Sequence, residues 1–347
     1  MSHPYKSAPR TAFWSRAVSA DWHAADLVAG ADPYVAAGDK VMTAGSCFAS
    51  NLVPYLEQAG LTYLRTERPH PAFPYEERFG YDKFTAAYGN IYTVRQLLQL
   101  LRRSLGQFRP SQDRWHVGDQ VVDPLRPGLA HPARSDREFD LLTAQHLAAV
   151  REAFSTADVL IFTLGLTEAW VSAADGTVFP ACPGTVAGQF DAARYAFHNF
   201  SVAEITADLV TFVGELRAIN PGVKVILTVS PVPLVATATA AHVLLATTYS
   251  KSVLRVSAGE AASQLTRVIY FPAYEIVTGP QAPFDFFEPD RRSVTRAGID
   301  TVMGAFLSRC GKGAPVAAPV DKATGLSRAV SEALADADCE EAMADRR

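Results

Sequence analysis

The sequence predicts a doubly wound α/β fold, a mostly parallel sheet flanked by helices on both faces. Four apolar, β-prone runs at residues 41–44, 159–164, 223–229 and 268–271 read as strands buried on both sides. Helical patterns at 141–154, 202–219, 243–264 and 294–307 alternate with them. A parallel sheet requires this alternation, because each parallel pair is joined by a crossover.

Residues 1–38 contain Phe13, Trp14 and Trp22 and read as an arm packed on a domain. The first strand runs into Gly45-Ser46, and residues 49–56 then read as an amphipathic helix up to Gly60, giving strand, tight turn, helix. Residues 66–135, rich in proline and aromatics, interrupt the rhythm. They are expected to form an insertion beside the sheet, with one helix at 94–105. Asn220-Pro221-Gly222 is a strong helix stop before the third strand. The α/β domain is expected to span 39–312, with 313–347 a Pro/Ala/Gly linker and an acidic tail that can form a short helix at 327–343.

The 347 residues include 32 basic and 36 acidic side chains, a net charge of −4, which argues against an electrostatic nucleic-acid partner. The four cysteines form no C-x-x-C pair, so neither a zinc site nor a disulfide scaffold is expected. No apolar run is long enough to span a membrane, and the first twenty residues lack the core of a secretory signal, so a cytoplasmic location is expected. Phosphate-loop and dinucleotide fingerprints are absent, and no cofactor is expected. Asp285, Glu288 and Asp290 offer oxygen ligands without a histidine nearby in sequence, and no metal site is assigned to them.

Open α/β sheets bind ligands at the carboxyl ends of their strands. The residues to inspect are therefore Gly45-Ser46-Cys47, the segment 165–168, Ser230-Pro231 and, further on, Asp285, Glu288 and Asp290. A serine in a strand-to-helix turn can cap the helix or present a nucleophile, and spacing alone leaves both open. Cys47 next to it offers a thiol alternative. Lys251 and Arg255, one helical turn apart, can hold an anionic substrate or simply form a solvated face.

Gly45-Ser46-Cys47-Phe48-Ala49 spells the motif that names the GSCFA domain family, a branch similar to the SGNH/GDSL hydrolases. Tyr88-Gly89-Asn90-Ile91-Tyr92-Thr93, the run from Thr163 to Trp170, the run from Thr228 to Val232 and the run from Tyr270 to Ile276 resemble further signatures of that family, in order along residues 35–310. The resemblance implies an SGNH/flavodoxin-like three-layer sandwich and a serine esterase or acyltransferase acting on O-acyl groups. Its partner would be a small-molecule or glycan ester. It implies Ser46 as nucleophile, Gly89 as an oxyanion donor with Asn90 beside it, and the third block at Gly165, Thr167 and Glu168.

Two departures stand out. Thr167 stands where the family pattern has asparagine, and the Asp-x-x-His block reads Asp290-Arg291-Arg292-Ser293. A serine hydroxyl cannot serve as a base near neutral pH. His242, which follows a strand and opens a helix, and His70, in a proline-flanked loop, are the expected substitutes, with Asp290 as the orienting acid. Asp290 or Glu168 acting alone would need a carboxyl pKa raised by burial. His3, His23, His116, His131 and His146 read as structural or solvated, and His198 lies before a helix. The rival readings are a non-catalytic ligand-binding member that lost the base and a thiol enzyme using Cys47.

Overall fold

The structure, a computed structural model, describes residues 3–28, 30, 32–68, 81, 83–129 and 131–311. His70, the side chain of Cys47 and the tail from 312 onward lie outside the described residues. At the centre is a five-stranded, all-parallel sheet built from β1 (Lys40–Gly45), β2 (Thr62–Tyr63), β5 (Val159–Leu164), β9 (Lys224–Val229) and β10 (Val268–Phe271). Their order is β10-β9-β5-β1-β2, so the chain leaves β1 toward one edge and then returns to the other side of it. The switch point falls between β1 and β5, where Gly45 pairs with Thr163.

The crossover helices form a layer on each face of the sheet. One layer holds α1 (Cys47–Ser50), α2 (Leu52–Gln58), α7 (Ala273–Thr278) and α8 (Arg296–Leu307). Within it the Tyr55 hydroxyl on α2 donates to Asp300 on α8. The other layer holds α3 (Val94–Ser104), α4 (Asp136–Thr156), α5 (Val202–Ile219) and α6 (Val243–Gln264). All six residues of β5 are buried, as expected of the central strand. α5 starts with a capping box, in which Ser201 and Glu204 satisfy each other's backbone N–H groups.

The sequence-predicted helix at 49–56 is split, with α1 and α2 meeting at Asn51. Six short strands were not expected. β2 is a two-residue edge strand. β3 (Trp115–Val117) and β4 (Gln120–Val122) form a hairpin. β6 (Glu168–Ser172), β7 (Val178–Phe179) and β8 (Tyr195–Asn199) form a separate antiparallel sheet above the carboxyl end of β5. Segments of two to five residues carry too little periodicity to be read.

β2 covers only the start of β1, pairing with Lys40 and Val41. Further along, the edge of β1 is covered by loop 83–93. The Thr43 N–H donates to Thr85 Oγ1 (3.3 Å), and the Tyr88 hydroxyl donates to the Thr43 carbonyl. Covering an exposed strand edge is a general need of sheets. Here it also brings Gly89 and Asn90 to the end of β1. Toward the other edge of the sheet, Tyr34 packs against Phe271 of β10 and Phe306 of α8, so the amino-terminal segment contributes to the core.

Candidate active site

Ser46 directly follows β1 and stands at the N-cap position of α1. Its side chain does not cap the helix. The Ala49 N–H donates to the Ser46 carbonyl (2.8 Å), and Ser46 Oγ is buried with no hydrogen-bond partner. The residue is 5% exposed. A buried hydroxyl without a partner costs free energy.

Three backbone segments converge there. Gly45 has φ +146°, and a Cβ at this position would lie 2.6 Å from the Thr163 carbonyl oxygen, so only glycine lets the chain turn so close to β5. The Ile91 N–H donates to the Gly45 carbonyl (2.8 Å), which joins segment 89–92 to the end of β1. The N–H groups of Gly165 and Leu166 both donate to the Tyr92 carbonyl (3.1 and 2.9 Å), which joins 165–167 to the same segment. A Cβ on Gly165 would lie 3.3 Å from Ser46 Cβ, so the third segment packs directly against the serine.

The middle segment is anchored from α3. Gln96 accepts from the Tyr92 N–H (2.9 Å) and donates to the Asn90 carbonyl (2.9 Å). Gly89 sits at φ +67° in the left-handed region. Just before it, the Ala87 N–H donates to Glu67 (2.8 Å), and Arg126 donates to the Ala87 carbonyl (3.4 Å). Glu67 is buried and bonds His146 Nδ1 at 2.6 Å, while Arg126 pairs with Asp123 at 2.8 Å. Burial pushes the His146 pKa down to about 4, and the Arg126 charge pushes the same way, against the opposing pull of Glu67. Burial would raise the Glu67 carboxyl, but the His146 hydrogen bond and the nearby charges overcome it and hold the carboxyl below its ordinary value.

Of the expected residues, Ser46, Gly89, Asn90, Gly165 and Thr167 lie on these three joined segments. Thr167 Oγ1 is buried without a partner, as Ser46 Oγ is. The others are engaged elsewhere. Glu168 opens β6, where its carboxylate accepts from Thr237 Oγ1 (2.7 Å) and the Ala238 N–H (3.2 Å), bracing the loop before α6. His242 is the exposed N-cap of α6, and its Nδ1 accepts from the Leu244 N–H (3.1 Å). Asp290 accepts from Ser293 Oγ (2.6 Å) and from the N–H groups of Arg292 and Ser293. Partial burial would raise the Asp290 carboxyl, but those hydrogen bonds and the Arg292 charge hold it below the ordinary range. The raised pKa that a lone Asp290 base requires is thus not what the fold provides. No side chain among the described residues hydrogen-bonds Ser46 Oγ.

The contacts of two buried residues are not legible in the sequence. His146 and Lys251 are 0% and 1% exposed, so His146 is structural rather than solvated, and Lys251 lies on no solvated face. Arg255 does not join Lys251 in a cationic pair facing solvent, since it binds Glu275 (2.5 Å). Periodicity held the signal. His146 shares a buried stripe with Phe139, Val150 and Ala153, and Lys251 shares one with Leu254, Ala258 and Ala261.

Residues 40–306 match the model of the GSCFA family, more than half of the chain. The chain belongs to the GSCFA family. No curated protein sequence matches this GSCFA protein. Solved structures resemble it only distantly. A carbohydrate esterase family 3 enzyme from Talaromyces cellulolyticus is 13% identical, with 77% of this chain and 93% of that chain covered and a TM-score of 0.37. An acetyl esterase mutant with acetate ion is 12% identical over 77% and 93%, with a TM-score of 0.35. A carbohydrate esterase family 2 enzyme plus carbohydrate binding domain from Corynascus thermopiles (Myceliophthora fergusii) is 12% identical over 81% and 68%, with a TM-score of 0.28. Among the described residues of the GSCFA protein, no helix is long and apolar enough to cross a membrane.

Proposed function

We propose that this GSCFA protein is an SGNH-like serine esterase or acyltransferase that acts on O-acyl groups of a carbohydrate or glycan. The observation that carries the reading is Ser46 Oγ, buried and without a partner where three glycine-containing segments meet at the switch point of the sheet. In the proposed reaction Ser46 Oγ bonds to the acyl carbon while a base takes its proton. The carbonyl π bond opens to an oxyanion, for which the Gly89 N–H and the Thr167 hydroxyl are the proposed donors. The sugar alkoxide then leaves with the proton from the base. The Ser46 ester passes its acyl group to water or to another hydroxyl by the same steps in reverse. The proposed base is a histidine outside the Asp290 block, His242 first and His70 second.

One observation favours a second reading, a ligand-binding member without catalysis. Ser293 replaces the block's histidine and occupies the Asp290 carboxylate itself. One experiment separates the readings. A fluorophosphonate probe is applied to the wild type, Ser46→Ala and Cys47→Ala, and turnover of acetylated sugars is measured on the same samples. The enzyme reading expects labelling and turnover that vanish in Ser46→Ala only. Loss in Cys47→Ala instead supports the thiol reading, and a wild type that neither labels nor turns over ester supports the binding reading.

A further inference from the structure

α6 grips segment 165–167 with two adjacent buried side chains. Ser250 Oγ accepts from the Thr167 N–H (3.1 Å), and Lys251 Nζ donates to the Gly165 carbonyl (2.7 Å). The peptide between Gly165 and Leu166 is thereby pinned at both ends, its carbonyl by Lys251 and its N–H by the Tyr92 carbonyl (2.9 Å). Gly165 has no Cβ to restrain this peptide, so rotation there is easier than at any other residue type. Burying an ammonium group costs several kcal/mol unless its contacts repay it. Lys251 is 1% exposed, and its donation to the Gly165 carbonyl holds that carbonyl's orientation from the interior.

The alternative partners of that carbonyl make the point specific. If it were released, the Gly165 oxygen would be a buried acceptor in need of a donor. Gly165 packs against Ser46, and both the Ser46 and Thr167 hydroxyls are buried and without partners. We propose that Lys251 is a positioning residue that claims the Gly165 carbonyl and so leaves the Ser46 and Thr167 hydroxyls available to an acyl substrate. The proposal rests on the reading of Ser46 as nucleophile. Lys251 acts through the Gly165 peptide, takes no part in bond making, and does not bind substrate.

The test is the rate constant for fluorophosphonate labelling of Ser46 in the full chain, read by intact mass, in the wild type, Lys251→Met, Lys251→Arg and Lys251→Ala. Folding is checked by circular dichroism and melting. Lys251→Met, of similar length but without a donor, should label roughly 10- to 100-fold more slowly, the scale of a mispositioned site. Lys251→Arg, which keeps a charged donor, should fall between Met and wild type. Propylammonium should restore labelling of Lys251→Ala in a saturable way, which a purely structural defect would not allow. A folded Lys251→Met that labels at the wild-type rate overturns the proposal, as do Met and Arg variants that are equally slow. Should Lys251→Met fail to fold, the Arg variant and the rescue of Lys251→Ala decide. A wild type that takes no label removes the serine-nucleophile reading first, and this proposal with it.

Discussion

Glu67 and His146, 79 residues apart in the chain, meet in the interior with Oε2 2.6 Å from Nδ1. The carboxylate of this pair also accepts the Ala87 N–H two residues before Gly89. A buried carboxylate hydrogen-bonded to a neutral imidazole therefore underlies the loop that supplies one side of the Ser46 site, and this has a measurable consequence. His146 Nε2 is buried without a partner, so protonating the ring would place a charge where nothing receives it.

Acid should destabilise the fold through this pair. The unfolded chain binds a proton on His146 below about pH 6.5, whereas the folded chain refuses it until about pH 4. Between those values the unfolded state holds more protons, so stability is full above the upper limit and falls as the pH drops toward the lower one. The loss is at most about 3 kcal/mol. Urea unfolding at pH 7.5, 6, 5 and 4.5 should show it. His146→Gln should be less stable at pH 7.5 but flatter across this window, and an equally steep variant would assign the loss to other groups.

Restoring the absent histidine is a direct probe of the fifth block. Ser293 Oγ already lies 2.6 Å from Asp290 Oδ2, so an imidazole at that position would find its orienting carboxylate in place. Ser293→His should raise acyl-ester turnover by at least about tenfold, within the range of general-base catalysis, with a limb near pH 6–7. No gain at any pH would mean that this loop does not face the reacting bond.

The native base should be visible in a pH profile. If His242 or His70 takes the Ser46 proton, its alanine variant loses roughly 100-fold or more, and the wild-type limb near pH 6–7 goes with it. Asp290→Asn should lower turnover less. Full activity in both histidine variants would exclude an imidazole base from these two positions.

Gly45→Ala should be costly for stability and fatal for activity. Its φ of +146° disfavours any side chain, and the new Cβ would meet the Thr163 carbonyl oxygen at 2.6 Å. A loss of at least about 2 kcal/mol is expected, measured as a drop in melting temperature together with loss of probe labelling. A variant as stable as the wild type would mean that β1 and β5 can separate at their ends.

Much of the frame was legible. The helices at 202–219 and 243–264 coincide with α5 and α6 residue for residue because long periodic segments carry their own signal, and the runs at 159–164 and 268–271 coincide with β5 and β10 because they are apolar, β-prone and closed by Gly165 and Pro272. Ser46 was legible as a strand-end serine, but its freedom from a capping role was not, since that depends on where the side chain turns. The partners of the site were illegible for a different reason. Glu67, Arg126 and Lys251 act on backbone groups of distant segments and His146 on the Glu67 carboxylate, and no local spacing records such a contact. A stricter reading of helix faces would have placed His146 and Lys251 inside, without saying what they hold.

The Tyr92 carbonyl receives two N–H groups from segment 165–167, while Ile91 beside it donates to Gly45. These three ties are main chain to main chain, so they do not depend on which side chains those positions carry, provided the glycines remain. The shape around Ser46 is in that sense decoupled from its chemistry. Asparagine in place of Thr167, or histidine in place of Ser293, would remove none of these three ties. Such a scaffold is free to gain, lose or regain a reaction while continuing to fold.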